Sequence, residues 1–375
     1  TLSGARLAVA QYATSEDVLS VRIDNAPPIV TMTGGEETVT AYEPVFFEFG
    51  VTDASAADRA DFIAIEVDWG DGQVSSGGSF GEVSFTDFHA YTHPGTYTVR
   101  WSATDKDGGH AEVTQPVEVS RAAVRPDPVN VGQDTLVVAA PATTSGNNRI
   151  QVKAVTGGVV AIVDGWTSPV FQGVDRVVVY GNEGDDDIQV AVPVPTEVYG
   201  GDGNDRIKSN GGHDVLVGDL GDDMLVGNGG RDFVVGGEGA DKVVGNADDD
   251  ILVGGIYSGV SDPFAGGFLV VTDVLTRRLA SSTIMAEWTS GADYFTRVDR
   301  IRYGTEDNIQ FILAGYDAAP VTGFQTVFDD AAEDKLTGDA GHDWFFANVD
   351  GPVTDKITDV LSPEFTDSDR EFIFT

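Results

Sequence analysis

The chain has no cysteine, which excludes a disulfide framework and thiol chemistry. If it works outside the cell, another cross-link must stabilise it, and bound metal is the first candidate. Bases are scarce, 22 against 61 acids, for a formal net charge of -39. That balance excludes nucleic acid as a partner, since phosphates are neutralised by basic patches, and argues against docking on an anionic membrane. It favours cations as partners, metal ions above all. No apolar run approaches the ~20 residues of a spanning helix, and no basic-then-apolar leader opens the chain at Thr1. The expectation is a piece of a longer exported protein. Segments 27–120, 181–255 and 256–375 each net -13, so a saline habitat explains part of the charge as simply as metal does.

What is present is β-patterned. Residues 1–26 hold two short alternating runs, Ala5–Gln11 and Val18–Ile23, read as the last strands of an upstream domain plus a linker. From 27 to 121 apolar and polar residues alternate in Val45–Phe49, Ile63–Val67, Val83–Phe88, Thr96–Ala103 and Val113–Val119. Turn residues separate these runs, which is the signature of an antiparallel sandwich. Two motifs sharpen the reading: the tight turn Asp68-Trp69-Gly70-Asp71-Gly72, and His89-Ala90-Tyr91 followed by Pro94-Gly95-Thr96-Tyr97. In this order they resemble the PKD (polycystic kidney disease) family of immunoglobulin-like domains. The resemblance implies an extracellular spacer or interaction module with no active site. Residues 122–180 hold further short β runs, expected to cap the entrance of the next domain.

A fixed period of nine is the strongest signal. Six units run in register from Gly200 to Val253, with Asp205, Asp214, Asp223, Asp232, Asp241 and Asp250 at position six and an aliphatic residue at position eight. An earlier unit, Gly181–Gln189, puts Asp186 and Ile188 in the same slots, offset by 19 residues instead of 18. Gly201, Gly203, Gly212, Gly221, Gly230 and Gly239 supply turn positions closed to other residues. The pattern is similar to the RTX (repeats-in-toxin) nonapeptide, whose family forms a calcium-binding parallel β-helix. On that resemblance 181–255 is a calcium β-roll with two nonapeptides per coil and several Ca²⁺ ions.

Energetics explain why metal is needed. Each unit buries one aliphatic side chain, worth ~1.5–3 kcal/mol, against ~1–2 kcal/mol for ordering each of nine backbone residues. Stacked carboxylates ~4.8 Å apart repel by roughly 3 kcal/mol at an effective dielectric near 20. A hard cation that takes oxygen ligands reverses that sign. Asp205, Asp223 and Asp241 should form one row, and Asp214, Asp232 and Asp250 the other.

Segment 256–317 interrupts the array with helical spacing, over Ser281–Ser290 and Ala292–Tyr303. Arg277, Arg278, Arg297, Arg300 and Arg302 make it the only basic region along the sequence. It is expected to be a helical pair covering the apolar face of the roll, its arginines pairing with acids; a partner-docking patch is the alternative. In 318–375 the repeats resume, with Asp334 and Asp343 at position six, and are expected to stack on the first array ahead of a C-terminal cap.

No catalytic constellation emerges. Gly77-Gly78-Ser79-Phe80-Gly81 fits Gly-x-Ser-x-Gly, but a nucleophile elbow needs a helix after it and Glu82–Phe88 alternates like a strand. There is no His-Glu-x-x-His. Asp105 and Asp107 read as an Asp-Gly turn before a cation site, and Trp69, Tyr91, Tyr97 and Trp101 as core before a sugar platform. The sequence thus points to a mainly β chain: an antiparallel Ig-like sandwich, then a parallel β-roll with a small α-helical insertion. The expected function is that of a non-catalytic, calcium-stabilised structural or adhesive module, secreted or at the cell surface. The alternatives are the C-terminal module of a secreted hydrolase or toxin, and a carbohydrate-binding appendage. Expected partners are calcium and, beyond it, other surface proteins, copies of the chain or polysaccharide.

Overall fold

A computed structural model describes residues 26–36, 38–52, 62–80, 83–141, 146–257, 271–303, 327–328, 330–348, 353–358 and 373–374. The runs Ala5–Gln11 and Val18–Ile23 lie outside them. The chain divides into two units at Val119/Ser120, with 40–42 and 92–94 grouped with the second.

In the first unit the alternating pattern becomes two antiparallel sheets. Ile29–Gly34, Val45–Thr52 and Val83–His89 form one. Thr38–Thr40, His110–Ser120, Gly95–Thr104, Phe62–Asp68 and Val74–Phe80 form the other, in that order. Period-2 alternation sends Val45, Phe47, Phe49 and Val51 inward, all buried, as a half-covered sheet requires. Trp69, Tyr91 and Trp101 are buried with them, and the Trp101 ring centroid lies 5.2 Å from that of Phe49. These aromatics are core. Gly70 takes φ +84°, and a Cβ there would press on the Thr98 backbone, so the turn after Trp69 requires glycine. Ser79 belongs to strand Val74–Phe80, paired with Phe62–Asp68, and the next described element is another strand, so the elbow geometry is absent. Asp105 Oδ1 accepts from the amides of Asp107 and Gly109, the Asp-Gly turn reading.

The second unit is a roll of two parallel sheets facing one another. One, here the covered sheet, stacks Asp134–Ala139, Arg176–Glu183, Thr196–Asp202, Val215–Leu220, Phe233–Glu238, Ile251–Val253 and Trp344–Asn348. The other, the open sheet, stacks Arg149–Val155, Asp187–Ala191, Arg206–Lys208, Met224–Gly229, Lys242–Ala247, Lys335–Ala340 and Lys356–Ile357. Registers such as Leu216↔Val234 and Leu225↔Val243 advance by 18 residues, two nonapeptides per coil. Asp187 pairs with Arg206 and Glu197 with Val215, so the one extra residue sits between Gln189 and Thr196. Antiparallel strands Ala122–Pro126 and Gly158–Val163 close the first rungs, occupying edges that would otherwise be open to pairing. Position-eight residues Ile188, Ile207, Leu216, Leu225, Val234, Val243, Leu252 and Leu336 are fully buried between the sheets.

The array continues across the insertion. Val243 pairs with Leu336 and Leu252 with Phe345, so the resumed repeats stack on the first array. The ends of the insertion meet in a short ribbon, Ile256↔Phe328. The insertion divides a single nonapeptide: a Cβ on Gly254 would strike Asp334 Oδ2, as one on Gly218 would strike Asp223 Oδ2. Gly254 is thus the first residue of the unit whose sixth is Asp334.

Helix α1 spans Val271–Trp288 and α2 Tyr294–Tyr303. The first begins ten residues before the expected Ser281. Apolar spacing did not count Arg277 and Arg278, which face inward because they pair with acids of the roll. Arg277 bonds Asp219 Oδ1, and Arg278 donates to both Glu197 oxygens and to Asp127 Oδ2. Arg297 bonds Asp249 Oδ2 at 2.6 Å, and the Trp288 indole donates to Asp249 O. The helices cover the outer face of one sheet with arginines on acids, as expected of the insertion.

Candidate metal-binding turns

Every position-six aspartate sits at the turn that feeds a strand, and its two oxygens play different parts. Oδ1 accepts the amide of the equivalent residue one coil earlier. In the row feeding the open sheet, Asp186 donates to Asp205, Asp205 to Asp223, Asp223 to Asp241 and Asp241 to Asp334, at 2.6–2.8 Å. In the row feeding the covered sheet, Asp214 donates to Asp232, Asp232 to Asp250 and Asp250 to Asp343, each at 2.9 Å. The structure therefore assembles the two expected rows, and the resumed repeats extend both.

Oδ2 turns inward over the first glycine of its own unit. At Gly200, Gly218 and Gly236 an added Cβ would meet both that oxygen and the position-one carbonyl of the next coil, Gly218, Gly236 and Gly254 in turn. Two oxygens converge on a space that only glycine leaves open. The Oδ2 atoms of Asp186, Asp205, Asp223, Asp232, Asp241 and Asp250 are buried without a hydrogen-bond partner. Burial of an unpaired carboxylate is costly enough that the group neutralises or acquires a counter-charge. Burial pushes Asp186 and Asp223 up to about 7 and Asp205, Asp241 and Asp250 up to about 9. Asp232 rises to about 10 through burial and then the charges of Asp214 and Asp250 on either side. Six orphaned oxygens in two rows, those of Asp186, Asp205, Asp223 and Asp241 each beside a glycine carbonyl, fit a hard cation with oxygen ligands. No cluster of three or more acidic or histidine side chains suited to a metal occurs among the described residues. Each turn brings one carboxylate, so backbone carbonyls would make up the remainder, which calcium accepts and zinc does not favour.

The turn glycines divide by position. Gly203, Gly221, Gly230 and Gly239, at position four, take φ between +105° and +125°, where a Cβ would also collide with the preceding coil. Gly201 and Gly237, at position two, take φ +109° and +123°; in other units Asn or Asp fills that slot, with positive φ at Asn182, Asp219, Asn228 and Asn246. Gly212 departs from the expectation: its backbone is not left-handed, in the one unit of the array that opens with a residue other than glycine, Ser209. The Ser209 hydroxyl donates to Gly227 O at 2.6 Å and contacts the Asp214 carboxylate. A hydroxyl fills the space left open elsewhere, and Asp214 Oδ2 is not among the orphaned oxygens.

Two degenerate units escaped the sequence reading. Asn148 donates its amide to Asp186 Oδ1 and Ile150 lies opposite Ile188, so Asn148 and Ile150 hold positions six and eight of a leading unit. Asp334 donates to Asp355 Oδ1 and Ile357 pairs with Leu336, so Asp355 and Ile357 hold positions six and eight of a trailing one. The signal was there (Asx, one residue, Ile), but the turn residues no longer spell the repeat.

Comparison with known proteins agrees with this geometry. Residues 25–120 match the family model of the PKD domain, and residues 197–225, 226–256 and 322–350 match that of the RTX calcium-binding nonapeptide repeat (4 copies). The chain thus carries a PKD domain followed by RTX calcium-binding repeats. Among solved structures it is similar to the PKD domain of an M14-like peptidase from Thermoplasmatales archaeon SCGC AB-540-F20. Identity is 28% over 26% of this chain and 98% of that one, with a TM-score of 0.21. It is also similar to the PKD domain of the human VPS10 domain-containing receptor SorCS2, at 24% identity over 32% and 94%, with a TM-score of 0.19. No curated protein matches. Both families are generally non-catalytic and typical of extracellular or secreted proteins, and no helix among the described residues is long and apolar enough to cross a membrane.

Proposed function

We propose that this chain is a non-catalytic structural or adhesive module of a secreted or cell-surface protein, its roll locked by calcium. The observation that carries the reading is the two rows of buried, partnerless Asp Oδ2 atoms, six in all at Asp186, Asp205, Asp223, Asp232, Asp241 and Asp250. Asp186, Asp205, Asp223, Asp232, Asp241 and Asp250 would hold the ions together with position-one carbonyls, and Asp334 and Asp343 continue the same rows. Bound calcium supplies positive charge between turns that otherwise repel. The chain's own residues set the spacing: each Oδ1 fixes the coil rise, and each glycine leaves the cradle open. Because the ions bind the folded state, stability follows their concentration by mass action.

The test is far-UV circular dichroism of the full chain with Ca²⁺ and after EGTA. The expected result is a loss of β signal on chelation, restored by calcium, with a second thermal transition from the PKD domain that does not respond. An unchanged spectrum in EGTA defeats the proposal.

A further inference from the structure

The chain has six lysines, and the fold gathers five of them on one surface. Positions seven and nine of the units feeding the open sheet point away from the core, since position eight points into it. Along this face Asp187 pairs with Arg206, Arg206 with Met224, Met224 with Lys242, Lys242 with Lys335, and Lys335 with Lys356. Lys208 stands beside the column at position nine, and Arg149 and Lys153 extend it on the first strand. The lysines and arginines of the face are exposed.

Asp187 is the single acid of the column, and it pairs with Arg149 at 3.6 Å; Lys356 pairs with Glu333. Lys153, Arg206, Lys208, Lys242 and Lys335 make no ion pair among the described residues. Like charges directly opposite on neighbouring strands destabilise a sheet, and Lys242, Lys335 and Lys356 stand on three adjacent strands ~4.8 Å apart. In a chain of net charge -39 carboxylates are abundant, yet among the described residues none forms an ion pair with Lys242 or Lys335. The arginines of the insertion, the only basic run along the sequence, are by contrast largely consumed by buried pairs with the roll. Among the described residues, the lysines and arginines without an ion pair therefore gather on the open sheet.

We infer that the outer face of the open sheet binds a linear polyanion, specifically an acidic polysaccharide. A single-file column along the roll matches an extended chain with charges at regular intervals. Lysine suits such a ligand, because a point charge on a flexible stem adapts to sulfate or carboxylate at variable geometry, where arginine would select planar bidentate pairs. Half-buried Met224, Val226 and Val244 lie between the cations and offer an apolar strip to the carbon face of a sugar. The rest of the protein repels such a ligand at long range. Binding should thus peak at intermediate salt: near 0.01 M the screening length is about 30 Å and the whole negative chain is felt, whereas near 0.15 M it is about 8 Å and the column dominates.

The inference names a ligand class for the module proposed above and needs the roll folded, so circular dichroism in Ca²⁺ and in EGTA comes first. The full chain in Ca²⁺ is then titrated with dextran sulfate and with uncharged dextran, and is run by itself on size exclusion. Dextran sulfate should bind and dextran should not. Lys242→Glu with Lys335→Glu should weaken binding at least tenfold with an unchanged spectrum, and Lys242→Arg with Lys335→Arg should retain most of it. Undiminished binding by the charge-reversed variant overturns the inference, as does equal binding of neutral dextran. Tighter binding of duplex DNA makes the face a nucleic-acid site instead. A dimer lost on charge reversal, without polysaccharide binding, makes the occupant a second copy. Failure of dextran sulfate with a normal calcium response sinks this inference alone; absence of the calcium response sinks the metal reading and leaves the binding result to stand.

Discussion

The two sheets of the roll have the same repeat, the same rise and the same aspartate at every turn, yet they are stabilised differently. On the covered sheet positions seven and nine are Val215, Val217, Phe233, Val235, Ile251 and Val253, all buried because an outer layer of helix lies on that face. On the open sheet the same positions are Arg206, Lys208, Met224, Val226, Lys242 and Val244, exposed or half-buried. The covered sheet thus has a second hydrophobic layer and buried ion pairs, and its turn row has one rung closed by a serine. Among the described residues the open sheet has only its inner ladder, and in its row the Oδ2 atoms of all four aspartates of the first array are orphaned. A repeat specifies the coil, while the variable positions within it decide whether packing or metal stabilises each side.

The largest expected effect sharpens that contrast with one residue from each face. Glu197 is buried and shared between Arg278 and Arg176. Although burial works in the opposite direction, Arg278 together with bonds from Thr135, Asn130 and Val129 holds neighbouring Asp127 well below the usual carboxylate range. Removing one member of a buried pair strands its partner and costs about 3–5 kcal/mol, so Glu197→Ala should destabilise the roll by that order. Lys335→Ala on the open face should stay within about 0.5 kcal/mol. Chemical denaturation in saturating calcium measures both, and comparable losses would break the comparison.

A smaller effect concerns pH. In the metal-free chain the orphaned aspartates have folded-state values raised to about 7 for Asp186 and Asp223, about 9 for Asp205, Asp241 and Asp250, and about 10 for Asp232. A group raised on folding contributes stability that is full below its unfolded value near 3.9 and lost as pH rises through the folded one. In EGTA the roll should therefore melt higher at pH 4.5 than at pH 8. In calcium the order reverses, because the metal needs the carboxylates deprotonated. Asp232→Asn should raise the melting temperature in EGTA at pH 8 and leave it nearly unchanged at pH 4. A metal-free chain more stable at pH 8 than at pH 4.5 would show that these carboxylates are not the strained groups.

Much of this was legible in the residues. Asp at position six and an aliphatic at position eight gave the coil, the two rows and the stacking of Asp334 and Asp343. The turn at Trp69 and the alternation of Val45–Phe49 pointed to the sandwich. What stayed hidden depended on neighbours 18 residues or more apart. Lys242 and Lys335 are 93 positions apart in sequence and adjacent in the sheet, so no local charge count joins them. Arg277 and Arg278 were expected to pair with acids, but their partners, Asp219 and Glu197, lie 58 and 81 residues away, so the sequence could not name them or extend the helix to include them. The division of the repeat between Gly254 and Asp334 leaves no local trace, since each half lacks the spacing that identifies the other. The identity of position seven, by contrast, was readable: Val, Phe and Ile alternate with Arg, Met and Lys from one unit to the next.

The smallest effect is the most specific. Ser209 puts a hydroxyl where every other unit from Gly200 to Val253 begins with glycine, and that hydroxyl donates to Gly227 O at 2.6 Å. The carbonyl and the Asp214 carboxylate are the two oxygens that elsewhere face an open cradle, so here a hydrogen bond takes the place of an ion. Asp214→Asn should leave the number of bound calcium ions unchanged, while Asp232→Asn, one coil on in the same row, should lower it by at least one. Ser209→Gly should add one. Native mass spectrometry on the three variants counts the ions directly. If Asp214→Asn loses an ion and Ser209→Gly gains none, the serine oxygen is itself a ligand, and the covered sheet depends on metal as fully as the open one.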